Sequence, residues 1–352
     1  MPNPTVTRAL DALASRRDLS AEEAAEVLSE IMHGEVSEIQ IAGFLMALRT
    51  KGETVEELTG LARTMRALAA HVPTEREDLL DTAGTGGGRT TFNVSTTAAL
   101  IAAGAGCAVA KHGNRSATSS SGSADLLEAL GARIDLDPIG VARCIDEAGF
   151  GFMFAPAHHQ ATRFVVPVRR ELAVRTIFNL IGPLTNPAGA RRQLIGVSDA
   201  GFLETIAGAL ARLGVIRALI VTGEDGLDEI SIGAATRVVE VNGEEITRYT
   251  LLPGDVGVEL DPHYERECAG GTPQENAEVT RAILSDGGGE RRASVELAVI
   301  NAGAAIYVAG RSETIAAGVE LARAAIANGS AADALERYVQ ATRTYAPAGA
   351  AR

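Results

Sequence analysis

From Leu79 onward the chain alternates short apolar runs with helix-forming segments and glycine-rich turns, and this alternation most restricts its fold. Parallel strands covered on both faces need a crossover helix between them, so the pattern reads as an α/β sheet. Residues 78–83 read as a strand running into Gly84-Thr-Gly-Gly-Gly88. A helix is expected over 95–105, a strand over 107–110, and a helix over 123–130 with Gly131 just past its end. Residues 151–155 and 217–222 read as further strands, and the runs 238–241 and 246–249 flank Asn242-Gly243, a hairpin signal. The stretch 274–345 reads as mostly helical.

The first seventy or so residues follow a different pattern. Ser20 with Glu23 and Thr54 with Glu57 have capping-box spacing, and each pair opens a segment of helical periodicity. Between them, residues 39–48 are apolar on most sides, which predicts a buried helix with some surface against a partner subunit or another domain. His71-Val-Pro-Thr-Glu75 reads as a linker, and a length of 352 residues suits about two domains.

Composition excludes several partners. The formal net charge of −13 repels a polyanion, the basic residues are scattered, and aromatics are 4% with no Trp to stack bases, so nucleic acid is not expected. Cys107, Cys144 and Cys268 form no CxxC pair, which reads as reduced thiols in an intracellular protein. The N-terminus lacks an apolar signal region, and the apolar run 98–110 is too short to span a bilayer, so a cytoplasmic location without membrane attachment is expected.

Three segments carry chemistry. Gly84–Gly88 leads through Asn93 to a helix start with Ser95 and Thr96, a backbone suited to close approach of an anion. It is neither GxxxxGK[ST] nor GxGxxG. Lys111-His-Gly-Asn-Arg-Ser116 and the hydroxyls up to Ser123 read as a second anion-binding loop after a strand. Asp228 and Glu229, just after the strand 217–222, suit a hard cation that also takes phosphate oxygens, and Mg²⁺ with a diphosphate fits best. His158-His159, without further ligands nearby in sequence, reads as a polar contact rather than a zinc site. Of Arg169 and Arg175, one binds a carboxylate and the other holds structure; their spacing leaves open which.

GTGG…FNVST, KHGNRS…SGSADLLEALG, PVRREL…RTIFNLIGPLTNP and GLDE, in this order and spacing, resemble the anthranilate phosphoribosyltransferase family over nearly the whole chain. Class II nucleoside phosphorylases share the architecture but have different phosphate motifs. The resemblance implies transfer of the phosphoribosyl group of phosphoribosyl diphosphate (PRPP) to anthranilate in tryptophan biosynthesis, with Mg²⁺ as cofactor. It implies a small all-helical domain plus a larger α/β domain with a mixed, mostly parallel central sheet, and a homodimer formed through the N-terminal helices. The helical domain would span 1–75, joined by a helical excursion near 160–187, and the PRPP-binding domain 76–352.

Carried over by motif, Gly84, Gly87, Gly88, Thr91, Asn93, Val94, Ser95 and Thr96 would hold PRPP. Lys111, His112, Gly113, Asn114, Arg115, Ser116, Ala117, Thr118, Ser119 and Ser123 would complete that site. Gly84, His112, Asn114, His159, Arg169 and Pro183 would meet anthranilate, and Ser95, Asp228 and Glu229 would hold the metal. Lys111 and Arg169 would carry the catalytic roles. One departure stands out: the family's first loop usually reads GTGGD and is one residue longer, whereas here Gly88 and Arg89 stand at that point.

Overall fold

The computed structural model describes residues 1–116 and 120–346. Four helices come first: α1 (Pro4–Ala14), α2 (Ala21–Met32), α3 (Glu38–Lys51) and α4 (Val55–Ala67). Their starts are set by side-chain caps. Ser20 with Glu23 and Thr54 with Glu57 form the expected reciprocal capping boxes, while Asn3 and Ser37 each accept one backbone N–H. Helix α3 is buried on one side only, through Ile41, Phe44, Leu45 and Leu48, and Ile39 is 85% exposed. The other side of α3 faces outward in the single chain, where surface against a partner was expected.

A seven-stranded sheet follows, made of β1 (Leu79–Asp81), β2 (Ala108–Gly113), β3 (Phe150–Phe154), β4 (Arg192–Gly196), β5 (Arg217–Gly223), β6 (Thr236–Asn242) and β7 (Glu245–Leu251). Its order is β3-β2-β1-β4-β5-β6-β7, with β1 to β5 parallel and β6 and β7 antiparallel. This is the mixed, mostly parallel sheet expected, including the hairpin near Asn242-Gly243. Two differences bear on function. Strand β2 does not stop at Ala110 but continues through Lys111, His112 and Gly113, because these pair with Phe152, Met153 and Phe154 of β3. Strand β4 carries no strong sequence signal, since only Leu194 and Ile195 in it are bulky and apolar.

The remaining helices are α5 (Val94–Gly104), α6 (Ser123–Ala129), α7 (Pro138–Ala148), α8 (Ala155–His158), α9 (Val166–Leu172), α10 (Phe178–Ile181), α11 (Leu203–Arg212), α12 (Pro273–Asp286), α13 (Arg292–Val308), α14 (Ile315–Ala327) and α15 (Ser330–Tyr345). Two apolar clusters lie on opposite faces of the central strands. Leu194, Leu219, Val221 and Val238 join the cluster of α5, α7 and α13–α15. Their neighbours Ile195, Ala218, Ile220 and Val239 join the cluster of α1–α4 and α11, the side-chain alternation of a strand. Val165, Val168, Ile177, Leu180, Ile181 and Leu184 belong to this second cluster, so α9 and α10 pack with the N-terminal helices. Among the described residues no helix is long and apolar enough to cross a membrane.

Helices α13 and α14 touch backbone to backbone. A Cβ on Gly318 would lie 2.2 Å from the Gly303 carbonyl oxygen, and one on Gly303 would lie 2.6 Å from the Val319 nitrogen. Gly318→Ala is therefore expected to force the helices apart and to cost about 2–3 kcal/mol. The readout is a lower urea midpoint with an unchanged slope; an unchanged midpoint would contradict this packing.

Candidate active site

The order β3-β2-β1-β4-β5 reverses direction between β1 and β4, and ligands in open α/β sheets bind outside the carboxyl ends of the strands at such a point. Here the backbone opens a cavity of about 580 Å³. Gly84, beyond β1, bridges to Gly196 at the end of β4. A Cβ on Gly196 would lie 1.7 Å from the Asp228 carbonyl oxygen, so only glycine lets the Asp228 turn rest on β4.

The glycine loop forms one wall. Gly86 and Gly87 have φ of +63° and +88°, conformations that favour glycine. Arg175 fills the space a side chain at 87 would need and donates to the carbonyl oxygens of Gly86 at 3.0 Å and Thr85 at 3.5 Å. At the next residue, the Gly88 N–H donates to the Asp228 carboxylate. A Cβ there would lie 2.3 Å from Asp228 Oδ1, which accounts sterically for glycine at this step of the departing loop.

Asp228 and Glu229 sit opposite the start of α5. The Ser95 N–H, at that helix's positive end, donates to the Glu229 carboxylate. Burial and then repulsion from Asp228 push Glu229 up to about 8, and burial raises Asp228 as well. Neither carboxylate has an ion-pair partner within 4 Å among the described residues. Two crowded carboxylates that resist ionisation side by side, with the Ser95 hydroxyl close to Lys111, are a donor set that fits a hard divalent cation sharing ligands with phosphate. No group of three or more His, Cys, Asp or Glu among the described residues could hold a metal alone.

Lys111 Nζ is buried and donates to the Thr82 carbonyl at 2.9 Å, the Thr82 hydroxyl at 3.0 Å and Ser95 Oγ at 3.4 Å. Burial lowers it to about 8, against the pull of Asp81 and Glu229. Its ammonium faces the same end of the cavity as the carboxylates.

The other end is built by β2 and the excursion. His112 Nδ1 lies 3.2 Å from the Gly182 carbonyl oxygen, which only accepts, so Nδ1 carries the proton and Nε2 is a lone-pair acceptor. His159 stands 5.1 Å from it, ring centroid to centroid, and is held by the Thr185 carbonyl. Both Nε2 atoms are buried without a partner among the described residues. Burial drives His112 down to about 3 and His159 to about 4, so both are neutral near pH 7. Arg169 on α9 lies over the Phe178 ring at 5.5 Å with no carboxylate within ion-pair distance among the described residues, and burial lowers its guanidinium from the ordinary value. Arg175 is thus spent on the glycine loop, while Arg169 has no ion-pair partner among the described residues.

Every expected site residue that is described lines this one cavity. Ala117, Thr118 and Ser119 lie outside the described residues. Not all of the lining residues are available to a ligand. Asn93 is tied, donating to the Ser121 carbonyl at 2.9 Å and accepting from Ser121 Oγ and Asn276 Nδ2. Arg115 pairs with Asp125 and Glu128. Three supporting residues escaped the sequence reading. Asp81 accepts the His112 N–H and an Asn186 N–H, and Asn301 exchanges hydrogen bonds with the backbone of Ile230 beside Glu229. A lone Asn within the apolar run Val299-Ile-Asn-Ala-Gly-Ala-Ala305 was a usable signal, since a buried amide needs partners.

Residues 7–69 match the family described as "Glycosyl transferase family, helical bundle domain", and residues 76–332 the one described as "Glycosyl transferase family, a/b domain". The chain is 52% identical to anthranilate phosphoribosyltransferase from Rubrobacter xylanophilus over 97% of this chain and 99% of that one. It is similar in structure to the anthranilate phosphoribosyltransferase of Thermus thermophilus, with a TM-score of 0.89 and 46% identity, over 95% of this chain and 99% of that one. The Saccharomyces cerevisiae enzyme in complex with PRPP and Mg gives a TM-score of 0.86 at 27% identity, over 97% and 98% of the two chains.

The two imidazoles make stability depend on pH. Their ordinary value is 6.5, while in the fold they protonate only near 3 and 4. Between these values the unfolded chain binds protons the native state refuses, so their contribution is complete above 6.5 and is lost as pH falls. At pH 5 each accounts for about 2 kcal/mol of lost stability. Urea unfolding at pH 7.5 and 5.0 should show a smaller acid loss, by roughly 2–4 kcal/mol, in a His112→Gln/His159→Gln double variant; equal losses would show that these rings are not the cause.

Proposed function

The chain belongs to the anthranilate phosphoribosyltransferase family, and on that footing we propose that it transfers the phosphoribosyl group of PRPP to the amine of anthranilate. The products are N-(5-phosphoribosyl)anthranilate and diphosphate, a step of tryptophan biosynthesis, and the proposal includes a cytoplasmic location. The observation that carries this reading is the polarity of the cavity. One end holds the Asp228–Glu229 pair, Lys111 and the start of α5, the other holds two neutral imidazoles, and the uncommitted Arg169 lines the same cavity. A diphosphate suits the first end and an aromatic carboxylate suits the second.

In this reading the anthranilate nitrogen donates its lone pair to C1 of the ribose as the C1–oxygen bond breaks, the leaving diphosphate keeps that bond's electron pair, and the nitrogen then loses a proton. Arg169 fixes the carboxylate bidentately, which aims the neighbouring amine at C1. His112 Nε2 and His159 Nε2, both bare acceptors, face the cavity where an amine N–H can be received. Lys111 and the α5 amides stabilise charge on the departing diphosphate. Mg²⁺, held by Asp228 and Glu229 with Ser95, would supply further neutralisation of that leaving group when bound. Residues 1–75 with the excursion near 160–187 would serve the anthranilate end, and residues 76–352 the PRPP end. We also propose that the outward side of α3, with Ile39 exposed, is covered in a homodimer; a monomeric mass by light scattering at micromolar concentration would refute it.

The test follows anthranilate fluorescence. Its loss should require both PRPP and Mg²⁺, and Asp228→Ala/Glu229→Ala should slow it by on the order of a hundredfold or more. Undiminished turnover in that variant would remove the metal assignment, and no loss in the wild type despite PRPP binding would point to a different acceptor.

A further inference from the structure

The step Gly88-Arg89 gives the cavity a cation whose side-chain bond is to a solvated group. Lys111 is committed to Thr82 and Ser95, and Arg175 to the carbonyls of Thr85 and Gly86. Arg89 also lines the cavity, but its side chain is 45% exposed and pairs with Glu265, itself 57% exposed. The guanidinium lies beside the Asp228 turn, since a Cβ on Gly226 would be 3.7 Å from Arg89 Nε. The backbone there is pinned: the Arg89 N–H donates to the Gly226 carbonyl at 3.1 Å, and the Phe92 N–H to the Cys268 carbonyl at 3.0 Å. The side chain can therefore change partners while the loop stays in place. The other nearby carboxylate, Asp225, is occupied by the hydroxyls of Ser231 and Tyr264.

We propose that Arg89 is a substrate-binding residue that exchanges the Glu265 carboxylate for oxygens of the PRPP diphosphate at the mouth of the cavity. This inference rests on the phosphoribosyl-transfer reading above. A solvated ion pair contributes little stability, so leaving it is cheap. The guanidinium fork takes phosphate as readily as carboxylate, with two parallel hydrogen bonds in either case. The exchange also meets a need of the site. A diphosphate entering beside Asp228 and Glu229 adds negative charge to a pair that already repels, and Arg89 adds a cation on the open side of that turn. Glu265 then acts as a competitor that holds the guanidinium in reserve.

Steady-state kinetics of the full chain with Mg²⁺ test this. Arg89→Ala should raise KM for PRPP by on the order of tenfold, leaving KM for anthranilate unchanged. Arg89→Lys should recover part of the loss, as a point charge without the fork. Glu265→Gln should lower KM for PRPP, and the gap between wild type and Arg89→Ala should narrow as salt rises. An unchanged KM for PRPP in Arg89→Ala overturns the proposal. So does a Glu265→Gln variant whose KM rises as far as that of Arg89→Ala, since the pair would then be a clasp on the loop. Calorimetric titration of the wild type with PRPP separates the two levels: if it neither binds PRPP nor consumes anthranilate, the parent reading fails and takes this inference with it. If it does both and Arg89→Ala matches it, only the role of Arg89 is lost.

Discussion

The site stands on a buried carboxylate. Asp81, at the end of β1, is fully buried and accepts the His112 N–H of β2 at 3.1 Å and the Asn186 amide at 2.7 Å. Asn186 reaches on to the Ala110 carbonyl and takes the Ala188 N–H, which ties the segment after α10 beneath the same two strands. Burial pushes Asp81 up to about 6, against the pull of Lys111. Removing one partner of such a group leaves a desolvated polar atom with nothing to replace water, so its surroundings are locked as a unit. Lys111, His112 and the chain leading from Pro183 to Asn186 owe their relative positions to this anchor.

Above it, the sheet makes one cavity from segments far apart in sequence. The loops after β1, β2, β4 and β5 leave from the same edge because parallel strands all end on the same side. The excursion with α9 and α10 closes the remaining side, bringing Arg169 and His159 over from the cluster of the N-terminal helices. Arg66 of α4 stitches that helix to the Leu184 carbonyl at 2.6 Å, next to the Asn186 anchor. Strand β2 serves the whole cavity, through Lys111 and His112, and the helical excursion adds to it. The sheet edge supplies amides, an ammonium, carboxylates and the His112 ring, and the helical side supplies a planar cation and the His159 ring.

Local signals carried a large part of this in the sequence. Capping boxes at Ser20 and Thr54 depend on residues three apart, and the turn at Gly86-Gly87 depends on the absence of a Cβ, so each can be read without knowing the fold. The motif residues were legible as chemistry for the same reason: a lysine, a histidine and hydroxyls in one run after an apolar strand are unusual wherever they fold. What misled was a strand end. Lys111-His-Gly reads as loop because it is polar, yet it pairs with Phe152-Met-Phe154 and its Lys111 and His112 are buried, which depends on a neighbour about forty residues away. Strand β4 was hidden likewise, since its identity comes from flanking β1 and β5 rather than from its own composition.

The chain by itself determined which groups exist and where the capped N-terminal helices begin, since those follow from backbone dihedral limits, caps and side-chain periodicity within a few residues. Which of two arginines is free was a tertiary decision. Arg169 and Arg175 are equally charged in sequence, and only the approach of the Thr85 and Gly86 carbonyls commits one of them. The protonation of the buried groups was decided in the same way. The adjacent Asp228 and Glu229 are visible in sequence, but only enclosing Glu229 away from water shifts its charge toward neutrality. Burial and hydrogen-bond partners are properties of the assembled layers, and they turn a set of ordinary polar residues into one cavity that holds paired carboxylates, an ammonium and neutral imidazoles.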